Sequence, residues 1–360
     1  MAKLTLKSLS ALTLAVGLIT PVTRADEAGL SPQSLTPTPQ MQAVLDELQR
    51  QPAKPITELD AKDARKQPNA ATAVASILKA KGIDPASLDA MEYEKDIKIE
   101  TGTTTLPVRV YYPGNPTGQP LPVIVYYHGG GFVIATIDTY ESSARALAKG
   151  ANAIVFAVEY RKAPEYPYPA AHEDALAAYK WATEHASEYK GDPKRVAVAG
   201  ESAGGNLAAA VSQATRDLKL QAPVFQLLVY PWVNNDLTLK SYHVNAMAKP
   251  LNTEMIKWFT AKYISNAPTL DDPMAFPAKA KDLSNLPPAL VITASIDPLH
   301  SEGEAYAKAL KAAGNQAEYK NYPGVTHEFF GMGAVVDTAK QAEADAAAAL
   351  KKAFSMTPKM

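Results

Sequence analysis

Apolar positions change their spacing twice along the chain. They fall at Met41, Val44, Leu45 and Leu48 within 41–51, and at Val74, Ile77 and Leu78 within 69–81, the spacing of helices buried on one side. Gly82 and Pro85 punctuate the end of the second. Residues 29–40, rich in Pro, Ser, Thr and Gln, have no hydrophobic period and read as a flexible lead-in. From Tyr93 the period drops to two. Tyr93–Glu100 and Leu106–Tyr112 alternate across Thr101-Gly102, which predicts an antiparallel hairpin with one wet face. Five short runs then lose alternation altogether: Val123–Tyr127, Ala153–Val158, Val196–Ala199, Val224–Val229 and Ala289–Ala294. Such runs predict strands covered on both faces. Helix-compatible stretches at 142–149, 172–189, 204–218 and 302–313 alternate with them, so the fold class is α/β, a mostly parallel sheet with helices on both faces. The alternation breaks from Trp232 to 275, where a helical pattern at Thr253–Tyr263 intervenes. That insertion is predicted to lie over the carboxyl ends of the strands, where open α/β sheets bind ligands. A last strand pattern at Ala317–Tyr319 and an alanine-rich amphipathic helix over 339–354 follow.

The first 25 residues stand apart. Lys3 and Lys7 precede an apolar run from Leu9 to Ile19, then Pro21 and small residues up to Ala25, the layout of a secretory signal peptide with cleavage after Ala25. The run is shorter than the roughly 20 residues a bilayer core requires, so no stable membrane anchor is expected. The mature product is expected in the periplasm or secreted. Three divisions follow: residues 1–25 as signal peptide, 26–92 as lead and cap helices, and 93–360 as a core with a cap insertion at 232–275.

Composition narrows the chemistry. With 36 basic against 37 acidic residues, the chain has no excess charge to neutralise phosphates, and nucleic acid is excluded as a partner. The absence of cysteine rules out disulfides, thiolate metal centres and a thiol nucleophile.

An oxygen nucleophile has an obvious candidate. Val196–Ala199 runs into Gly200-Glu201-Ser202-Ala203-Gly204 and a helical pattern follows, the strand–turn–helix context of a nucleophile elbow, although a serine in an ordinary glycine turn is the plainer alternative. Val123–Tyr127 ends in His128-Gly129-Gly130-Gly131-Phe132, whose bare backbone can present N–H groups to a developing oxyanion. It is a poor phosphate cradle, because no Gly-Lys-Ser/Thr follows. A serine hydroxyl needs a base and a group to orient that base. Of six histidines, His327 comes after the last strand pattern, in the loop that starts Tyr322-Pro323-Gly324. Asp297 follows the Ala289–Ala294 strand, though an Asp-Pro step before a helix is also ordinary capping chemistry. His300 is a weaker alternative base. His172-Glu173-Asp174 and His327-Glu328 lack a second histidine four residues on, so no zinc-protease site is expected. Glu165, Glu173 and Asp174 read as ion-pair or capping groups.

Together these motifs resemble the hormone-sensitive-lipase-like esterases, the bacterial family IV branch of the α/β-hydrolase superfamily. The resemblance rests on His128-Gly129-Gly130-Gly131, Tyr160-Arg161-Lys162-Ala163-Pro164-Glu165, Gly200-Glu201-Ser202-Ala203-Gly204-Gly205, Asp297-Pro298-Leu299 and His327. It implies an α/β-hydrolase fold with a helical cap, and a carboxylesterase acting on short to medium acyl esters through an acyl-enzyme. It further implies Ser202 as nucleophile, His327 as base, Asp297 as its orienter, backbone N–H groups of Gly130, Gly131 and Ala203 as the oxyanion hole, and no cofactor or metal. An amide, formamide or lactone hydrolase with the same residues, and a non-catalytic binding protein on the same fold, are the alternatives. Glu201 departs from the family's usual Asp, Lys162 from its usual apolar residue, and His300-Ser301-Glu302 from its common Arg-Asp-Glu.

Overall fold

A single eight-stranded sheet organises the computed structural model, which describes residues 31, 35–102, 104–115, 118–264 and 267–356. The predicted signal peptide lies outside the described residues. The strands are β1 (Tyr93–Glu100), β2 (Thr105–Tyr112), β3 (Leu121–Tyr127), β4 (Ile154–Val158), β5 (Gly191–Glu201), β6 (Gln226–Val229), β7 (Ala289–Ile296) and β8 (Ala317–Thr326). Their order across the sheet is β1-β2-β4-β3-β5-β6-β7-β8; β2 pairs antiparallel with β1 and β4, and all other pairs are parallel.

Why the central strands read as continuous apolar runs is visible in β3. Val123, Val125 and Tyr127 point into one core, and Ile124 and Tyr126 into the other, all seven of its residues being buried. The first core is closed by α5 (Ala170–His185), α6 (Ala203–Asp217) and α9 (His300–Ala312); the second by α1 (Pro39–Arg50), α3 (Ala70–Ala80), α4 (Glu141–Ala151) and α10 (Asp337–Ser355). Small residues make the close approach possible: α6 presents Ala208 and Ala209, and α10 presents Ala339, Ala342 and Ala346, all fully buried. Asn69 caps α3 with its side chain on Thr72 N, a reciprocal capping box.

Several elements differ from the sequence expectation: α1 begins at Pro39, inside the expected lead-in, β5 starts at Gly191 rather than Val196, and β8 and the insertion differ most. The last strand does not stop at Tyr319 but runs through Pro323 and Gly324 to Thr326. It lies at the edge of the sheet, so a proline without an N–H costs no ladder bond on the open side, and residues 323–325 bulge opposite Ser295 where the register with β7 slips. His327 therefore hangs on the end of a strand rather than in a free loop. Within the insertion, α7 (Lys240–Val244) precedes α8 (Thr253–Tyr263); one turn and a half is too short to carry a readable period. A short α2 (Ala61–Ala64) sits between α1 and α3. Among the described residues no helix is long and apolar enough to cross a membrane.

Candidate active site

Ser202 sits between the last residue of β5 and the first of α6, at φ 56° and ψ −116°. An L-residue is held there at a cost of about 1–3 kcal/mol, so the surroundings must over-determine it. They do: Ser202 N donates to Val229 O at 2.9 Å, and its carbonyl accepts from Asn206 N at 3.0 Å and Trp232 N at 3.1 Å. The Gly at position 204 is a steric requirement, since a Cβ there would lie 1.9 Å from the Tyr127 carbonyl oxygen.

His327 and Asp297 reach this serine from the ends of β8 and β7. His327 Nε2 is 2.9 Å from Ser202 Oγ, and His327 Nδ1 is 2.7 Å from Asp297 Oδ2. The other oxygen, Asp297 Oδ1, accepts from Leu299 N at 2.8 Å. Capping the turn into α9 and holding the imidazole are thus two jobs of one carboxylate. Burial pulls the His327 imidazole down, but the Asp297 carboxylate outweighs it, helped by Glu328 and Glu201, and the ring is held above its ordinary value. His300 is not in this chain of bonds: its Nε2 lies 3.4 Å from the Tyr319 hydroxyl, and burial lowers its basicity.

Gly130 and Gly131 of the glycine motif line the same cavity as Ser202 and His327. Gly131 has φ 59°, and a Cβ on it would meet the Phe259 ring of α8 at 2.4 Å. His128, fully buried and pushed down to about 4 by desolvation, is neutral, with Nδ1 2.7 Å from Gly129 O. The Tyr160 hydroxyl donates to His128 O at 2.8 Å and pins the start of the turn. Ala203 is the first residue of α6, whose opening N–H groups have no partner within the helix. Among the described residues no acceptor engages the N–H of Gly130, Gly131 or Ala203. Free backbone donors of this kind are able to stabilise a negatively charged oxygen.

Ser202 and His327 line a cavity of about 570 Å³ whose walls include Leu48 and Ile56 before the sheet, and Leu251, Met255, Ile256 and Phe259 from the insertion. Side chains from residues 26–92 and from 232–275 thus line the same cavity as the serine. A second cavity, about 620 Å³, shares Tyr140 and Glu328 with the first but is lined by neither Ser202 nor His327.

One group in the vicinity escapes the motif logic, and two others form the ion pairs expected of them. Glu201, beside the serine, supplies no attacking atom, yet it is fully buried, accepts hydrogen bonds from the Tyr126 and Tyr230 hydroxyls, and is pushed up to about 7 by burial against those bonds. Its departure from aspartate was the one signal. Asp174, read as an ion-pair group, accepts from Arg161 Nε, Nη2 and backbone N–H at 2.7 to 3.0 Å, tethering the Tyr160–Pro169 segment to α5. Glu165 pairs with Arg65 at 2.6 Å, joining that segment to the residues before the sheet.

The chain has known relatives. A family model for the α/β-hydrolase fold matches residues 124–331. A carboxylesterase of Mycobacterium tuberculosis is 44% identical over 274 residues, covering 75% of this chain and 85% of the relative. An ethyl acetate hydrolase of Pseudomonas putida is 33% identical over 292 residues, 80% of this chain and 88% of that one. Among solved structures, the hyperthermophilic esterase of Pyrobaculum calidifontis superposes with a TM-score of 0.79 at 36% identity, over 88% of this chain and 98% of the other. The chain belongs to the α/β-hydrolase family, on its carboxylesterase branch.

Proposed function

We propose that this carboxylesterase cleaves esters of short to medium acyl chains through an acyl-enzyme. Ser202 is the nucleophile, His327 the general base and then acid, and Asp297 the group that orients His327. The observation that carries the reading is the unbroken bond sequence from Ser202 Oγ through His327 to Asp297, at 2.9 and 2.7 Å. His327 Nε2 takes the hydroxyl proton as Oγ attacks the ester carbonyl; the oxyanion is met by the N–H groups of Gly130, Gly131 and Ala203. Collapse expels the alcohol with the proton from Nε2, and water repeats both steps on the acyl-serine. The apolar walls and about 570 Å³ of the cavity suit an acyl chain of modest length, and one relative is named for hydrolysis of ethyl acetate.

The test is a series of 4-nitrophenyl esters from acetate to laurate on wild type and Ser202→Ala. The expected result is a maximum among the shorter chains and a loss of about 10⁴-fold or more in the variant; equal rates in the two proteins would reject Ser202. Residues 26–92 and 232–275 are read as the cap over this cavity. Residues 1–25 are read as a secretory signal that sends the enzyme to the periplasm or medium. Amino-terminal sequencing of the exported protein should begin at Asp26, and a start at Met1 or Ala2 would contradict that address.

A further inference from the structure

The segment between β6 and β7 grips the loop that carries Asp297. Ser241 and Ser301 bond reciprocally, each backbone N–H to the other's hydroxyl at 3.1 and 3.0 Å, and Ser241 Oγ donates to Pro298 O at 2.5 Å. The Tyr242 hydroxyl reaches Glu302 Oε2 at 2.6 Å, while Glu302 Oε1 accepts from Val233 N and Asn234 N at 2.7 and 3.0 Å. At the carboxyl end of α7, Asn245 Nδ2 gives one bond to Ser295 O and another to Asp297 O, both 3.0 Å, from a position only 4% exposed.

The placement of those two carbonyls gives Asn245 its importance. Pairing of β7 with β6 ends at Ile292, and its register with β8 slips between Ala294 and Ile296, so Ser295 has no register partner on either side. Where the sheet lets go, a side-chain amide with two hydrogens takes over, spanning one residue to either side of Ile296. Each bond is modest by itself, but both act on the short piece of main chain from which the acid projects.

We propose that Asn245 is a positioning residue: by tying the carbonyls of Ser295 and Asp297 together, it fixes the backbone that aims the Asp297 carboxylate at His327. The inserted segment thereby sets the acid as well as covering the cavity. This rests on the assignment of Asp297 as orienter of His327. The same segment reaches the glycine turn: Thr253 Oγ1 bonds Tyr242 O at 2.8 Å, and α8 lays Phe259 against Gly131. The groups whose charge or hydroxyl faces the pair are Glu201, Glu328 and Tyr230 around His327, and Tyr242, His300 and Glu302 around Asp297. Replacing Asn245 removes none of them, so a change in the titration of His327 reports the aim of Asp297.

Asn245→Ala and Asn245→Leu, the second keeping about the size but having no N–H to give and adding no charge, are compared with wild type, with sites counted by fluorophosphonate labelling. The expected outcome in each is a kcat lower by about tenfold, KM within about twofold, and the acid-limb midpoint of kcat/KM lower by about half a pH unit. Either variant suffices if the other does not accumulate folded. Wild-type kcat and midpoint would overturn the proposal, and so would a kcat loss with an unmoved midpoint, which marks a purely structural residue. Asp297→Asn is run alongside. If it keeps wild-type kcat, the reading of Asp297 itself has failed; if it loses activity while the Asn245 variants keep theirs, only the positioning role has.

Discussion

Tyr230 lays its ring against the imidazole of His327, centroids 4.5 Å apart, and gives its hydroxyl hydrogen to Glu201. One tyrosine thus joins His327 to a fully buried carboxyl that is pushed up to about 7 by desolvation. Because the folded value lies above the unfolded one, the native state keeps a proton that the unfolded chain releases, so this contribution to stability is full below about 4.5 and is lost as pH rises through about 7. Glu302, raised to about 8, and Glu343, raised to about 7, act in the same direction. The melting temperature of wild type should therefore fall between pH 5.5 and 8, and Glu201→Gln should fall less steeply. Parallel curves for the two proteins would remove Glu201 as a source.

Asp297→Asn leaves the imidazole without its negative partner. Since His327 owes its raised value to Asp297 against the pull of burial, the acid limb of kcat/KM in wild type should lie above the ordinary histidine value of 6.5. In the variant it should move down, with kcat lower by about 10³-fold or more. A pH–rate profile with unchanged midpoint would show that another group titrates there.

Gly131→Ala places a methyl group 2.4 Å from the Phe259 ring and asks a substituted residue to hold φ 59°. Activity should fall by about 100-fold as the N–H groups of the turn move off line. The double variant Gly131→Ala with Phe259→Ala relieves the clash but not the backbone preference, so about a tenth of the wild-type rate should return. No recovery would assign the whole loss to the backbone.

Asp174→Ala tests the tether behind the glycine turn. The carboxylate, 1% exposed, is held by Arg161 through side chain and main chain, and its removal strands a partly buried guanidinium. Denaturant unfolding should show a loss of about 3 kcal/mol, while kcat of the protein that remains folded stays within about twofold. A stability change under 1 kcal/mol would mean that solvent replaces the carboxylate without cost.

The fold and the meeting of Ser202, Asp297 and His327 were legible because they follow local rules. Buried strands lose their alternation, glycines mark places where backbones touch, and the three residues sit just past strand ends. What was hidden depends on distant partners. Pro323 and Gly324 look like strand breakers until β8 is known to be an edge strand opposite a register slip. Asn245 and Glu302 are ordinary polar residues in the sequence; only packing of the insertion against the Asp297 loop makes them neighbours. Glu201 shows in the sequence only as a departure from aspartate, because its surroundings are made by two tyrosines, 75 and 29 residues away along the chain.

The edge position of β8 also has a consequence for the proposed chemistry. Ser202 stands at the end of a central strand, but His327 hangs from an edge strand held by a single neighbour, 125 residues further along the chain. On the proposed roles, fraying of that one edge parts the serine hydroxyl from its proton acceptor while the central strand that carries the serine stays paired on both sides.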